Sequence, residues 1–341
     1  MSSSSTQPKV FITGVAGFLG SHLADAFLAR GYRVAGCDNM IGGYEDNVPE
    51  SVEFHTLCLS DDFDKVTEVM RGTDIVYHCA ATAYEGLSVF SPRIVTKHIV
   101  DASVAAITAA VINKVKRFVN CSSMARYGKQ RIPFHEKMDA RPVDPYGAGK
   151  VAVERLLKNI ADTHGMEWVI AIPHNIIGPR QKYDDPYRNV ASIMANLMLQ
   201  GRQPIIFGDG EQKRCFSFVQ DCVDPLVKMG TAGNVVREYI NIGPDEEFVS
   251  VNELARVLAD IIGFDLKPVY YPERPQEVKH AHCSSKKARK LLGYETKYTL
   301  RQGLEELVGY IRERGPKPFT YHLPIEIVNE KTPKPWKDQL F

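Results

Sequence analysis

Residues 9–20 read Lys9-Val10-Phe11-Ile12-Thr13-Gly14-Val15-Ala16-Gly17-Phe18-Leu19-Gly20, a β-favouring run that passes straight into three evenly spaced glycines. From Phe18 to Arg30 apolar residues recur at helical spacing, and Gly31 stops the pattern. The stretch therefore reads as strand, tight turn and helix. Gly14 permits the turn, Gly17 lets the backbone approach a pyrophosphate, and Gly20 allows close helix–strand contact. Phe18, Leu19 and Gly20 open the helix, whose free N–H groups and positive dipole end suit phosphates. The spacing is G-x-x-G-x-x-G, a weak signal alone. Asp38 strengthens it, because it ends the next strand (32–37), where an acid holds the adenosine ribose hydroxyls. A carboxylate there disfavours a 2′-phosphate, so NAD is expected rather than NADP.

Outward from this unit, residues 52–56, 74–78, 115–121 and 168–172 read as strands. Residues 62–71, 91–113 and 146–164 read as helices between them. The alternation predicts an α/β fold, a doubly wound parallel sheet of Rossmann type covered on both faces. After Pro173, shorter elements are punctuated by Pro, Gly and aromatics, with helices at 190–200, 220–231, 251–262 and 285–292. The expected organisation is a disordered leader (1–8), an NAD-binding domain carrying the catalytic residues (9–173), a smaller, mainly substrate-binding mixed α/β lobe (174–315), and an extended tail laid over the body (316–341).

The 341 residues are 44% apolar and 24% charged with a net charge of +1, ordinary values that carry no nucleic-acid footprint. No apolar run reads as long enough to span a bilayer, and no membrane partner is expected. Seven cysteines are scattered without C-x-x-C pairs. They read as reduced thiols in the cytoplasm, and no metal site is expected.

A second stretch carries chemistry: Asp144-Pro145-Tyr146-Gly147-Ala148-Gly149-Lys150, taken with Cys121-Ser122-Ser123. Asp144 is a good N-cap and Pro145 suits the first helical position. On the helix that follows, Tyr146 and Lys150 stand at i and i+4 on one face. An ammonium near a phenol is expected to lower the pKa of Tyr146, which then takes a proton from a substrate hydroxyl as hydride leaves the same carbon.

These residues resemble those of the extended short-chain dehydrogenase/reductases, in the nucleotide-sugar epimerase/dehydratase group, and specifically the UDP-glucose (UDP-galactose) 4-epimerase-like members. Further landmarks are His78-Cys79-Ala80-Ala81, His174-Asn175-Ile176-Ile177-Gly178-Pro179-Arg180, Phe207-Gly208-Asp209-Gly210 and Arg274-Pro275. The resemblance implies a 4-epimerase that forms a transient 4-keto sugar on tightly held NAD, with a keto-sugar reductase as the alternative. It implies Ser123, Tyr146 and Lys150 as the catalytic set. Asn39, Leu59, Ala80, Ala81 and Pro173 would join the glycine loop and Asp38 around the cofactor. Thr82, Ser123, Asn175, Asn189, Phe207, Arg214, Arg274 and Ala281 would meet a nucleotide-sugar substrate, and the small Ala281 leaves room for 2-acetamido sugars. Relatives pair helices into a four-helix bundle, so a homodimer is expected, with Val100, Val104, Ile107 and Val111 as its apolar stripe.

Departures from the family pattern matter as much. Met124 and Ala125 replace the Asp-Glu pair that dehydratases use for elimination, and the glutamate of sugar-acid decarboxylases is missing too. Arg126 is unusual and is read as touching either substrate or surface. Ile99 replaces a helical asparagine, with His98 beside it. Cys58 stands where an aspartate often meets adenine. His78 is read as a buried, hydrogen-bonded residue, and His174 as one kept for its shape.

Overall fold

Lys9–Thr13 (β1) is buried along its whole length, as a strand covered on both faces must be. The computed structural model describes residues 7–341, so the leader expected over 1–8 lies for the most part outside the described residues. With Arg33–Asp38 (β2), Glu53–Thr56 (β3), Ile75–His78 (β4), Arg117–Cys121 (β5), Glu167–Pro173 (β6) and a seventh strand, Glu238–Ile242, β1 forms a wholly parallel sheet. Its order is Glu238–Ile242, β6, β5, β4, β1, β2, β3. The order reverses between β1 and β4, and the carboxyl ends of those two strands flank the crevice where such sheets bind ligands.

Two apolar layers cover the sheet. On one face Val66, Val95, Ile99, Ile107, Val153 and Leu157 come from three helices of the first half. On the other, Leu23 and Phe27 of helix Phe18–Leu28 meet Leu226 and Met229 of helix Val219–Thr231, with Ala288 and Leu292 of helix Lys286–Leu292. Three elements from the range assigned mainly to the lobe thus lie with the sheet, the seventh strand among them. The seventh strand has no counterpart in the sequence reading, because five residues with one asparagine give little periodicity. The lobe has its own core, where helices Val190–Leu199, Val251–Ile262 and Leu300–Arg314 bring together Met194, Leu254, Leu258, Leu304 and Leu307. Helix Leu300–Arg314 also escaped the reading, although its capping box was legible: the Thr299 hydroxyl accepts from the Gln302 N–H while the Gln302 side chain accepts from the Thr299 N–H.

By length and composition one helix among the described residues is apolar enough to cross a membrane: Pro92–Ile112, 21 residues with a mean hydropathy of 1.5. This corrects the expectation that no such run exists. Its apolar side is turned to the sheet, where Val95, Ala106, Ile107 and Ala110 are wholly buried, and a core helix meets the same compositional test. Within the stripe expected at a dimer interface, Ile107 belongs to that core, while Val100, Val104 and Val111 stay half-buried.

Helix Pro145–His164 begins where the sequence placed it. The Asp144 carboxylate accepts from the Gly147 N–H at 2.8 Å, Pro145 occupies the first turn, and Gly165 closes the helix in the left-handed region at φ 74°.

Candidate functional site

A cavity of about 460 Å³ opens at the carboxyl ends of β1 and β4 and runs between the sheet and the lobe. All the residues expected to hold cofactor or substrate line it. They come from both halves of the chain, and the tail contributes to its wall as well.

At the cofactor end, Gly14 sits at φ 73°, and a Cβ there would come within 2.7 Å of the Ala80 backbone nitrogen. A Cβ on Gly20 would collide with the Gly14 carbonyl. Helix Phe18–Leu28 starts with no side-chain cap, which leaves the N–H groups of Phe18 and Leu19 free for an anion. Asp38 is buried; one of its oxygens accepts from the Ala16 N–H at 3.1 Å, the other from the Met40 N–H at 2.8 Å. Each oxygen retains a lone pair for a ribose hydroxyl. Burial raises its pKa, against those backbone N–H groups and Arg188, which lower it. Asn39, Cys58 and Leu59 continue the wall beside it, with Ala80, Ala81 and Pro173 further in. This donor set fits NAD.

Beneath the floor, His78 bridges the Thr13 and Ser103 hydroxyls, each at 2.8 Å. Burial lowers its pKa to about 3, so the ring is a neutral strut. His174, also buried, reaches the Pro244 carbonyl at 3.0 Å and is lowered to about 4.

At the reaction centre, the Lys150 ammonium donates to the Cys121 carbonyl at 2.9 Å and lies 5.8 Å from the centre of the Tyr146 ring. Burial lowers Lys150 to about 8. Tyr146 departs from expectation: burial, then the nearby Glu85 charge, push its phenol above the ordinary range, and the Ser123 hydroxyl and Arg188 only partly oppose them. In the protein alone, removing water from around a phenolate outweighs the lysine one turn away. Ser123 caps the short turn that follows β5, its hydroxyl accepting from the Ala125 N–H at 3.1 Å.

Arg126 is buried and lies off the cavity wall. Its Nε donates to Glu154 at 3.0 Å and its guanidinium lies over the Tyr127 and Tyr239 rings, wholly inside the protein. Glu154 also accepts from the Ser122 hydroxyl, so this buried pair braces the strand end that presents Ser123.

The far end of the cavity is walled mostly by the lobe, with Thr82 from the loop after β4. Thr82 hydrogen-bonds His98 at 2.8 Å, which gives His98 a role beside the core residue Ile99. The Asn175 side chain donates to the Cys215 carbonyl, and Asn189 caps helix Val190–Leu199. Arg214 is held by the Lys213, Lys279 and Val278 carbonyls. Arg274 pairs twice with Glu277 and lies over the rings of Phe207, at 4.9 Å, and Trp336, at 5.8 Å. Ala281 is buried on the cavity wall.

Charged and aromatic lining residues are among those that the sequence did not mark. Glu85, Arg188, Trp336 and Phe341 sit on a one-turn helix, a loop and the tail, where no periodicity marks them. Arg188 lies over the Tyr84 ring at 5.2 Å with no ion-pair partner among the described residues. Its Nη2 stands 3.0 Å from where a Cβ on Gly42 would be.

A profile of the NAD dependent epimerase/dehydratase family matches residues 10–243. A UDP-glucose 4-epimerase of Mycolicibacterium smegmatis is 31% identical over 322 residues, which cover 90% of this chain and 99% of that one. The structure is similar to that of a UDP-glucose 4-epimerase from Thermotoga maritima with UDP-glucose, with a TM-score of 0.84, 30% identity and coverage of 90% and 99%. It is similar also to a UDP-glucuronic acid 4-epimerase from Bacillus cereus in complex with UDP-glucuronic acid and NAD, with a TM-score of 0.83, 28% identity and coverage of 90% and 100%.

Proposed function

We propose that this chain, which belongs to the NAD dependent epimerase/dehydratase family, is a nucleotide-sugar 4-epimerase acting on UDP-linked hexoses. One observation carries the reading: Ser123, Tyr146 and Lys150 meet the glycine loop and Asp38 in a cavity whose far wall holds Asn175, Arg214 and Arg274. When bound, NAD supplies the reversible hydride acceptor for the sugar C4. Tyr146 removes the proton of the 4-hydroxyl, and Ser123 hydrogen-bonds the same oxygen. Lys150, anchored on the Cys121 carbonyl, keeps a positive charge beneath the phenol as it ionises. The cavity leaves room for a 4-keto sugar to turn and present its other face, and Tyr146 would return the proton to the same oxygen. Met124 and Ala125, both on the wall, offer no acid or base for elimination.

Arg214 and Arg274 suit the substrate diphosphate by guanidinium geometry. The small Ala281 admits a 2-acetamido group, so UDP-N-acetylhexosamines belong to the proposed range. We place the enzyme in a reducing cytoplasm, in keeping with seven free cysteines, and expect a homodimer through the half-buried Val100, Val104 and Val111.

The test is incubation of the NAD-loaded protein with UDP-glucose and with UDP-N-acetylglucosamine, followed by proton NMR. Inversion at C4 without lasting absorbance of reduced nicotinamide supports the epimerase, and stoichiometric reduced nicotinamide with a keto product would replace it by a dehydrogenase.

Arg188 lines the cavity and feels the Asp38 and Asp185 charges, but forms no direct ion pair among the described residues. Arg188→Gln should raise the Kd for NAD by roughly tenfold or more, the usual worth of a hydrogen bond to a charged group. Calorimetry on protein stripped of cofactor reads this directly, and the loss should shrink in high salt. An unchanged Kd would remove Arg188 from the cofactor site.

A further inference from the structure

Five carboxylates line or adjoin the cavity, and four have partners. Asp38 accepts from two backbone N–H groups, Asp144 caps a helix, Asp185 accepts from the Tyr84 hydroxyl and Glu277 holds Arg274. The fifth, Glu85, has no hydrogen bond or ion pair to its carboxyl among the described residues, yet its main chain is firmly held. Its carbonyl accepts from the Ser88 hydroxyl at 2.6 Å, and Tyr84 before it is buried. A Cβ on Gly86, the next residue, would stand 3.1 Å from the Trp336 ring and 3.2 Å from the Arg274 guanidinium. The position is rigid and the carboxyl is free.

Its place follows from its neighbours. On one side Glu85 acts on Tyr146, the largest influence on that phenol after burial. On the other it feels Arg214 and Arg274. It lines the same cavity as Tyr146, Arg214 and Arg274, and the Arg274 guanidinium lies against the adjoining Gly86, so its carboxyl faces the space that a hexose must occupy.

We propose that Glu85 is a specificity-determining residue that accepts hydrogen bonds from the hydroxyls of a neutral hexose and, while ionised, excludes hexuronates. This rests on the nucleotide-sugar reading of the site. A neutral hexose brings donors to an acceptor that no protein group satisfies. A hexuronate brings a second carboxylate, which can neither donate nor escape the charge, so binding it requires that Glu85 be protonated. The groups facing Glu85 are Tyr146 and Asp144 from the helix start, Arg214 from its strand, and Arg274 and Glu277 from the following loop. Burial and the Asp144 charge outweigh the arginines and raise its pKa to about 7. Exclusion therefore strengthens as pH rises through that value and relaxes below it.

The experiment compares kcat/KM for UDP-glucose and UDP-glucuronate in the NAD-loaded wild type, Glu85→Gln and Glu85→Ala, at pH 6 and pH 8. The ratio of the two substrates cancels the titration of groups common to both reactions. The wild type should prefer UDP-glucose by about a hundredfold or more at pH 8 and less at pH 6, in line with the penalty for opposed like charges. Both variants should cut that preference at least tenfold and abolish its pH dependence. A ratio that the variants leave unchanged, or a wild type that accepts both sugars equally at pH 8, overturns the proposal. Should C4 inversion fail altogether, the 4-epimerase reading falls separately, and the same ratio is read from dissociation constants of the two nucleotide sugars.

Discussion

Tyr146→Phe should lower kcat by about 10²–10⁴-fold, the range for loss of a positioned general base. The reason is geometric. Tyr146 is buried on the face of its helix that carries Lys150, and both line the cavity with Ser123. Ser123 is a hydroxyl already tied to the Ala125 N–H, and Lys150 is engaged with the Cys121 carbonyl. Neither replaces a phenol as proton acceptor. Phenylalanine fills almost the same volume, so the melting temperature should hold while turnover falls. Because burial raises the Tyr146 phenol and the reaction needs its ionised form, wild-type turnover should rise with pH, and that limb should vanish in the variant. A variant keeping more than a tenth of kcat would move the proton transfer to another group, with Glu85 the first to test.

Trp336→Ala should have the largest effect on the fold and on substrate binding together. Trp336 is only 2% exposed and is among the largest fully buried side chains. Its ring packs edge-on or tilted against Phe90, Tyr187 and Phe207, and its indole N–H donates to the Pro186 carbonyl at 3.1 Å. Truncating a buried tryptophan costs about 3–5 kcal/mol. Part of that cost falls on the tail, which is stitched down by Ser91 to the Pro324 carbonyl, Tyr187 to the Leu323 carbonyl and the Thr320 N–H to the Asp184 carbonyl. Part falls on the site, because Arg274 loses one of the two rings that hold it. We expect a lower melting temperature, earlier proteolysis within 316–341, and a KM for UDP-glucose raised more than kcat is lowered. Unchanged KM and unchanged proteolysis would mean that the tail covers the lobe without shaping the site.

The two predictions differ in how much of their basis was legible beforehand. Tyr146 and Lys150 were readable because helical spacing puts i and i+4 on one face, and because Asp144 and Pro145 mark where the helix begins. The direction of the Tyr146 pKa was not. It depends on how much protein surrounds the phenol and on Glu85, which is distant in sequence. Arg126 shows the same limit: its unusual identity could be noted, but its burial against Glu154 depends on how two elements pack. The tail was expected to lie over the body, and its contribution of Trp336 and Phe341 to the cavity wall had no sequence signal.

By itself the sequence determined the parallel sheet, the glycine loop beside Asp38 and the helix that sets Tyr146 and Lys150 on one face, because each rests on local rules. Apolar periodicity, the positive φ of Gly14, the N-cap at Asp144 and an acid at a strand end act within a few residues of one another. Only the tertiary structure decided that Glu238–Ile242 completes the sheet and that Arg126 lies inside. It alone placed Glu85, Arg188 and Trp336 on the cavity wall. Those outcomes depend on which distant segments meet and how much water their meeting removes, and no local pattern encodes the dielectric or the neighbours that result.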